Sequence, residues 1–481
     1  MSNYLAFDLG AESGRAMLGR LSGGRLDLEE LHRFPNTPVH IHEALYWDTL
    51  RLWHEIQQGI AIAAGQRKLQ LDGIGVDTWG VDFGLLGADD LLIDSPRHYR
   101  DPRTHGVMEK LFERVPREEV FAHTGLQFMH FNTLFQLYAM KLGGSPALAA
   151  ADRLLNMPDL FNYWLTGEAR SEVTIASTTQ FFDPRTMSWA TGLLDRLDLP
   201  SRLLCPTVAP GTLLGKMVDA PHVPVYATAG HDTAAAVAAV PAGEGGAWCY
   251  ISSGTWSLMG VELDRPAVND QCLALGCTNE VGVGGTIRLL KNIAGLWLLQ
   301  ECRRAWALEG VEYSYDQLTA MAAGARPFAA ILHPDAFGNP GGMPGQIAEY
   351  CRNSGQQPPE THAEYARVIL ESLALRYRQV LESLEKLTGQ RIETIHVVGG
   401  GSRNAVLNQF AADCTGRRVV AGPSEATAAG NILVQAMGAG EVAGLAGVRD
   451  VVRRSFEPTS FEPRPNGAWE RVYERFLEKR T

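Results

Sequence analysis

Two turns of small residues, about half a chain apart, are the segments best suited to hold an anionic group. Residues 8–15 follow the apolar run 4–7, and residues 252–255 follow the apolar run 247–251. Glycine and serine leave backbone N–H groups uncovered, and a curved row of these donors binds anionic oxygens. The pattern predicts two strand–turn–strand phosphate sites, one in each half, with a nucleotide held between two related lobes.

Asp232 has the best chemical placement for taking up a proton. It lies in the segment His231-Asp232-Thr233, directly before an alanine-rich run at residues 234–240 that is typical of a helix. The dipole at a helix N-terminus favours the ionised carboxyl group. An ionised aspartate accepts the proton of an attacking hydroxyl group during phosphoryl transfer. The alternative is an aspartate that only caps the helix.

Asp8 ends the first predicted strand, beside the first turn. A carboxylate there repels phosphate unless a cation lies between them, and Mg²⁺ held partly through waters suits this position. Asp8 is therefore a candidate metal ligand. The alternative is an aspartate that hydrogen-bonds its own turn.

A glycine triplet, Gly399-Gly400-Gly401, follows a strand predicted at residues 394–398. Backbone without side chains allows a flat or charged group to approach closely. We predict Ser402 as the N-cap of the next helix, an arrangement that suits an adenosine or phosphate edge. The alternative is a tight turn between strand and helix with no ligand.

Residues 77–83, Asp77-Thr78-Trp79-Gly80-Val81-Asp82-Phe83, mix polar and aromatic types on a predicted turn between strands. Sugars bind to such mixtures because aromatic faces cover C–H edges while carboxylates and backbone groups bind hydroxyls. The alternative is a hairpin packed by its own aromatic side chains. Farther along, Asn292 and Gln300 flank an apolar run. On a single helix they would lie about 80° apart, along one edge.

The surrounding elements are those of an α/β protein. Strand patterns at residues 4–7, 16–21 and 26–31 precede a helix near 49–64 and further strands at 73–77 and 81–86. This order is expected of a ribonuclease-H-like half. Residues 103–198 are mainly helical in pattern. Apolar residues at three- and four-residue steps predict a long buried-face helix at about 360–387.

The glycine-rich segment 241–246 is the best linker candidate. The strand patterns that follow it, at residues 247–251 and 256–261, restart those of the N-terminus. We interpret the chain as a degenerate internal duplication. The predicted domains are 1–243 and 244–481.

Length and composition exclude several classes of protein. The 481 residues suffice for two or three domains, and the net charge of −11 argues against binding to nucleic acid. Seven cysteines without a Cys-x-x-Cys pair argue against a zinc site, and no apolar stretch is long enough to cross a membrane. Walker and Rossmann glycine motifs are absent. Because Asp8 interrupts the first apolar run and no basic segment precedes it, we expect no signal peptide and a cytoplasmic protein.

Taken together, these segments resemble the FGGY carbohydrate kinases. The resemblance is carried by residues 7–15, 77–83, 99–101, 131–134, 231–233, 252–258, 291–297 and 397–401, in the expected order. It implies two ribonuclease-H-like, actin-like ATPase domains around a central cleft, the first mainly sugar-binding and the second mainly nucleotide-binding. It also implies ATP and Mg²⁺ as cofactors and a small ketose, L-rhamnulose, phosphorylated at O1.

The resemblance further implies roles for individual residues. Asp232 matches the family's proton acceptor. Sugar-contacting positions are matched by Gly80, His231, Asp232, Thr233 and Asn292. Nucleotide-contacting positions are matched by Ala11, Glu12, Ser13, Gly14, Arg15, Thr255, Gln300 and Gly400.

One departure and two alternatives accompany this resemblance. Family members commonly carry Thr or Ser hydroxyls where this chain has Ala11 and Glu12. A glutamate beside phosphate is unfavourable unless it points away or helps to hold the metal. The alternatives are a kinase for another ketose, L-fuculose or L-xylulose, and a non-catalytic actin-like nucleotide switch.

Overall fold

The computed structural model describes residues 1–220, 222–243, 246–338, 341–464 and 467–478. The chain forms two compact units, neither of which is one continuous stretch. The first comprises residues 1–239, 262–289 and 426–455, and the second comprises residues 240–261, 290–425 and 456–481. The predicted domain boundary lies between residues 243 and 244. Residues 244 and 245 lie outside the described residues.

The strands and helices have the following bounds in chain order. The strands are β1 Ser2–Leu9, β2 Ser13–Ser22, β3 Arg25–Pro35, β4 Val39–Ile41, β5 Ala44–Tyr46, β6 Gly73–Thr78, β7 Phe83–Leu86, β8 Arg153–Asn156, β9 Ser171–Glu172, β10 Phe182–Asp183, β11 Ser188–Trp189, β12 Thr207–Val208, β13 Thr212–Lys216, β14 Pro224–Ala227, β15 Trp248–Ser253, β16 Ser257–Leu263, β17 Thr278–Val281, β18 Ile287–Ile293, β19 Thr394–Val398, β20 Arg418–Ala421 and β21 Thr459–Phe461. The helices are α1 Thr49–Ile60, α2 Val107–Arg114, α3 Arg117–Thr124, α4 Thr133–Leu142, α5 Pro146–Ala150, α6 Met157–Thr166, α7 Val173–Ala176, α8 Thr191–Arg196, α9 Asp232–Ala238, α10 Asp270–Leu275, α11 Trp297–Leu308, α12 Tyr315–Gly324, α13 Met343–Asn353, α14 His362–Thr388, α15 Ala405–Thr415, α16 Ala426–Gly438, α17 Gly444–Ser455 and α18 Gly467–Glu478.

A six-stranded sheet organises the first unit, in the order β13-β14-β6-β1-β2-β3. β1, β2 and β3 are antiparallel, whereas β6 lies parallel to β1 and β14 lies parallel to β6. This confirms the ribonuclease-H-like order predicted from the N-terminal strand patterns. Strand β1 is buried on both faces because α1 side chains such as Ile56 join Leu5 and Phe7 in one core, while α16 covers the other face.

A seven-stranded sheet has the order β17-β18-β16-β15-β19-β20-β21, and its strands β15, β19, β20 and β21 lie in the second unit. Strand β15 pairs antiparallel with β16 and parallel with β19, which is parallel to β20. The order β18-β16-β15-β19-β20 therefore repeats β3-β2-β1-β6-β14, as an internal duplication predicts. The long helix α14 starts and ends within two residues of its predicted bounds.

One local prediction is wrong. Asn292 and Gln300 do not share a helix, because Asn292 belongs to β18 and Gln300 to α11. Between them Gly295 has φ +40°, and a Cβ there would lie 2.5 Å from the Thr255 carbonyl oxygen. The intervening residues 293–299 are buried throughout, so their apolar pattern does not separate strand from helix.

Residues 77–83 connect two strands as predicted, and the alternative of a hairpin is excluded. Strand β6 belongs to the six-stranded sheet, but β7 pairs with β8 from the mainly helical region instead. Elsewhere, all seven cysteines are buried. No helix within the described residues is both long and apolar enough to cross a membrane.

Candidate active site

The segment that carries Asp232 lies at the start of α9 in the first unit. His231 is the N-cap and Asp232 is the first helical residue, two positions earlier than the alanine-rich run suggested. The alanines allow α16 to approach closely, since a Cβ at Gly430 would lie 1.8 Å from the Ala235 carbonyl oxygen. Asp232 is therefore held at a helix N-terminus, where the dipole favours its ionised form.

The two oxygens of the Asp232 carboxyl group have different surroundings. Oδ1 accepts hydrogen bonds from the Thr233 N–H at 2.6 Å and the Thr233 hydroxyl at 3.2 Å. No described residue donates to Oδ2, and the side chain is 30% exposed. Burial raises the pKa of Asp232, the nearby His231 opposes this, and Asp8 adds to it. One oxygen is thus fixed while the other is available to accept a proton.

Asp8 and Asp77 lie side by side on the parallel strands β1 and β6. Asp8 forms an ion pair with Arg15, its neighbour on β2, at 2.5 Å. Asp77 is fully buried, and its Oδ2 accepts a hydrogen bond from Asn431 at 2.6 Å. Burial and the Asp8 charge raise the pKa of Asp77 well above its usual range, and Asp232 adds to the shift. The first unit therefore concentrates three carboxyl groups in one region.

The oxygens of this region fit a magnesium ion better than a transition metal. Asp77 Oδ1 is buried without a hydrogen-bond partner among the described residues. Among all residues that the structure describes, no group of three or more His, Cys, Asp or Glu side chains is placed to bind a metal. Mg²⁺ commonly binds through one or two carboxylates and completes its shell with waters and substrate phosphates. Asp8 and Asp77 satisfy that requirement.

Glu172 fixes the backbone immediately before Asp232, and the sequence prediction missed it. Its carboxylate accepts the Gly230 N–H at 2.9 Å, and the hydroxyl of Thr174 accepts the His231 N–H at 3.3 Å. Burial raises the pKa of Glu172 to about 7, although hydrogen bonds from Thr174 favour the charged form. A single glutamate between small and β-branched residues gives little signal in a sequence.

Replacing Glu172 with glutamine should flatten the pH dependence of folding stability. The native carboxyl group keeps its proton up to about pH 7, whereas in the unfolded chain the carboxyl group has its ordinary pKa of 4.5 and releases the proton near that pH. The free energy of unfolding therefore falls by about 3 kcal/mol for this group as the pH rises from 4.5 to 7. Above pH 7 it no longer changes. Urea unfolding of both proteins between pH 4.5 and 8 measures the two slopes. Equal slopes would contradict the assignment.

Within residues 77–83, the segment predicted to bind a sugar, the Asp82 carboxylate is hydrogen-bonded inside the fold. Asp82 Oδ2 accepts the indole N–H groups of Trp47 at 2.6 Å and Trp79 at 2.9 Å. Gln136 donates to Oδ1 at 2.9 Å. Burial raises the pKa of Asp82 to about 6 against these hydrogen bonds. Gly80 is half-buried in the same turn.

The first predicted phosphate turn is shorter than expected. Only residues 10–12 form the turn, since Ser13, Gly14 and Arg15 belong to β2. Asn36 donates hydrogen bonds to two backbone carbonyl oxygens of this turn. Its side-chain amide donates to the Gly10 oxygen at 2.8 Å, and its backbone N–H donates to the Glu12 oxygen at 3.0 Å. These carbonyls are turned away from any anion at the tip, near Ala11. The Glu12 side chain is exposed.

In the second unit, the turn at residues 254–256 is held by the start of α11. The N–H groups of Leu296 and Trp297 donate to the carbonyl oxygens of Gly254 and Thr255, each at 3.1 Å. Helix α11 also carries Gln300, whose Oε1 is buried without a hydrogen-bond partner among the described residues. An unsatisfied buried acceptor requires explanation, and a bound ligand can supply the missing donor.

The glycine triplet of the second unit combines tight packing with open backbone. A Cβ at Gly401 would lie 2.0 Å from the Ser253 hydroxyl, whereas one at Gly400 would meet no described atom within 4 Å. The prediction that Ser402 caps the next helix is wrong. Ser402 lies in a 3₁₀ turn, and Asn404 caps α15 by accepting the Leu407 N–H at 3.0 Å. The 3₁₀ turn inserts between strand and helix, which displaces the cap by two residues.

Family models match both halves of the chain. The N-terminal domain of the FGGY family of carbohydrate kinases matches residues 3–238, and the C-terminal domain of the same family matches residues 249–439. The chain belongs to the FGGY family of carbohydrate kinases. As a member of a kinase family it uses ATP and a sugar as substrates, and such kinases typically need a divalent metal ion.

Two relatives that match along nearly the whole chain are both rhamnulokinases. The rhamnulokinase of Bacteroides thetaiotaomicron is 47% identical, with 98% of each chain covered. The rhamnulokinase of Lactiplantibacillus plantarum is 39% identical, covering 100% of this chain and 99% of the relative.

Solved structures of distant relatives share the fold. The xylulose kinase of Lactobacillus acidophilus has a TM-score of 0.81 at 14% identity, covering 99% of this chain and 97% of that one. The Plasmodium falciparum glycerol kinase with ADP has a TM-score of 0.75 at 14% identity, covering 99% of this chain and 98% of that one. At such identities the likeness concerns the fold, which is that of the two ribonuclease-H-like, actin-like domains of FGGY kinases.

Proposed function

We propose that this FGGY kinase phosphorylates L-rhamnulose at O1, giving L-rhamnulose 1-phosphate and ADP, in the cytoplasmic catabolism of L-rhamnose. The observation that carries the substrate is the 47% identity to a rhamnulokinase over 98% of both chains. The observation that supports catalysis is the carboxyl group of Asp232, with one oxygen held by Thr233 and the other available.

The reaction needs a proton acceptor beside the sugar hydroxyl. Asp232 Oδ2 takes the O1 proton as the new bond from O1 to the γ-phosphorus forms and the bond from that phosphorus to ADP breaks. His231 and Thr233 flank this carboxylate, and the resemblance to the family assigns sugar contacts to both of them, to the backbone of Gly80 and to the Asn292 side chain. Mg²⁺, held at Asp8, would neutralise the charge on the phosphates.

Nucleotide binding is assigned to residues of both turns and of the glycine triplet. In the first unit these are Ala11, Glu12, Ser13, Gly14 and Arg15, and in the second they are Thr255, Gln300 and Gly400. The inward-held carbonyls near Ala11 and the open backbone at Gly400 support this assignment. Four of the five sugar-contacting residues fall within 1–243, and the nucleotide-contacting residues Thr255, Gln300 and Gly400 fall within 244–481. We propose these two ranges as the sugar-binding and nucleotide-binding domains.

A panel of ketoses tests the activity. ADP release is measured with L-rhamnulose, L-fuculose, L-xylulose and no sugar, and the product is identified by mass spectrometry and NMR. We expect kcat/KM to be highest for L-rhamnulose, with phosphate on O1. A preference for another ketose would correct the substrate, and ADP release that no ketose stimulates would favour a nucleotide switch.

Replacing Glu12 with serine should lower the KM for ATP slightly and leave the Mg²⁺ requirement unchanged. The Glu12 side chain is exposed at the tip of the turn, so its charge repels the phosphates without binding the metal. A Mg²⁺ titration at fixed ATP measures the effect. Glu474→Ser, which removes the same charge from an exposed position on α18, is the control. A higher Mg²⁺ concentration at half-maximal rate in Glu12→Ser would show that Glu12 helps to hold the metal.

A further inference from the structure

A buried ion pair lies behind the catalytic segment, and the mechanism above does not use it. Arg288 on β18 and Glu280 on β17 are 0% and 5% exposed, and Arg288 Nη2 lies 2.9 Å from Glu280 Oε2. Both strands place these residues within the first unit. Taking two charges out of water is costly, so such a pair contributes little net stability and needs another explanation.

The pair contacts one nitrogen of the His231 ring. Arg288 Nη2 lies 3.2 Å from His231 Nδ1 with hydrogen-bond geometry. Glu280 Oε2 is also 3.2 Å from Nδ1, but it forms no well-directed hydrogen bond among the described residues and lies closer to Arg288. A guanidinium group can only donate. The directed contact therefore requires that Nδ1 accept, which leaves the proton of the neutral ring on Nε2.

The other nitrogen of the ring faces the proton acceptor. His231 Nε2 lies 3.5 Å from Asp232 Oδ1. A bare Nε2 would present its lone pair to a carboxylate oxygen, whereas a protonated Nε2 attracts it. The contacts at Nδ1 and at Nε2 therefore favour the same tautomer, in which Nε2 carries the proton.

The guanidinium group is itself fixed. Arg288 Nε donates to the Val281 carbonyl oxygen at 3.2 Å, which sets the plane of the group. Glu280 supplies the compensating charge. Burial raises the pKa of Glu280, but Arg288 and, after it, His231 hold that pKa below its usual range. Arg288 is thus kept in one orientation toward His231.

We propose that Arg288, neutralised by Glu280, is a positioning residue that holds His231 as the Nε2–H tautomer. His231 then always presents a hydrogen-bond donor, never an acceptor, beside Asp232 and to a sugar oxygen. The catalytic consequence rests on the proposed function, in which Asp232 takes the O1 proton. The tautomer itself does not depend on which sugar is the substrate.

The tautomer is measured directly in the unliganded enzyme. The full chain is labelled with ¹⁵N-histidine, and long-range ¹H–¹⁵N spectra near neutral pH show which ring nitrogens carry a proton. The signal that disappears in His231→Gln is assigned to His231. We expect a bare Nδ1 and a protonated Nε2. A proton on Nδ1, alone or together with one on Nε2, would overturn the proposal, whatever the enzyme's activity on L-rhamnulose.

A paired substitution tests the cause. Arg288→Met with Glu280→Gln removes both charges together, so neither is left buried alone. We expect a mixture of His231 tautomers and a loss of about 10- to 100-fold in kcat, the range found for partners that orient functional histidines, with a smaller change in the ketose KM. Wild-type kcat together with an unchanged tautomer would overturn the proposal.

A second ion pair provides the matched control. Arg367 and Glu371 on α14, in the second unit, are 13% and 1% exposed and form an ion pair of 2.6 Å. Arg367→Met with Glu371→Gln makes the same chemical change away from His231. It should alter stability and leave the His231 tautomer and kcat unchanged. A loss of kcat as large as that of the Arg288 and Glu280 variant would mean that burial, not the tautomer, explains the effect.

Discussion

Replacing Asp232 with asparagine should lower kcat by about 10²- to 10⁴-fold, the usual contribution of a general base, while ATP still binds. Asparagine has nearly the same shape, and its carbonyl oxygen can still accept the Thr233 hydrogen bonds, but it cannot take up a proton. Steady-state kinetics with L-rhamnulose measure kcat, and calorimetry with ATP measures binding.

The matched control is Asp195→Asn, at an exposed position on α8. It removes the same charge away from the candidate site and should leave kcat unchanged. Activity of Asp232→Asn within a few-fold of the wild type would exclude Asp232 as the proton acceptor. Loss of ATP binding in the same variant would instead assign Asp232 to nucleotide binding.

Replacing Gly430 with alanine should destabilise the first unit by about 3 kcal/mol or more, at the upper end of the cost of overpacking a core. The new Cβ would lie 1.8 Å from the carbonyl oxygen and 2.5 Å from the carbonyl carbon of Ala235. These are backbone atoms of α9, so no side chain can rotate to relieve the contact. The two helices must separate, which also shifts Asp232.

Denaturant unfolding measures this loss. Gly345→Ala on α13 is the control, because a Cβ there would meet no described atom within 4 Å. Alanine at such a helical position should raise stability by about 0.5–1 kcal/mol, since glycine loses more backbone freedom on folding. A Gly430→Ala protein as stable as the wild type would contradict the close packing of α16 on α9.

The sequence alone was sufficient to predict the first strands of the first sheet. The short apolar patterns at residues 4–7 and 16–21 lie in β1 and β2. The alanine run after Asp232 likewise indicated a helix that begins beside a carboxylate. Both signals are local, so the backbone preferences of a few residues determine them.

Other parts of the site depended on residues distant in the chain. Asp77 is paired with Asn431, 354 positions away, and a polar residue within an apolar helix gives no sign of its partner. Arg288 on β18 likewise gave no sign in the sequence that Glu280 and His231 are its neighbours.

Tertiary packing also decided which polar groups of the predicted turns are hydrogen-bonded within the fold and where the neighbouring strands and helices end. Asp82 lies in a segment typical of sugar sites, yet the indoles of Trp47 and Trp79 occupy its carboxylate. Gly295 divides an apolar run into strand and helix, because only a glycine fits against the backbone of residues 255–257 at that point. The sequence by itself determined which segments carry chemistry. Only the tertiary structure decided which polar groups are satisfied within the fold and which are left for substrates, because hydrogen bonds between distant residues compete with those to a ligand.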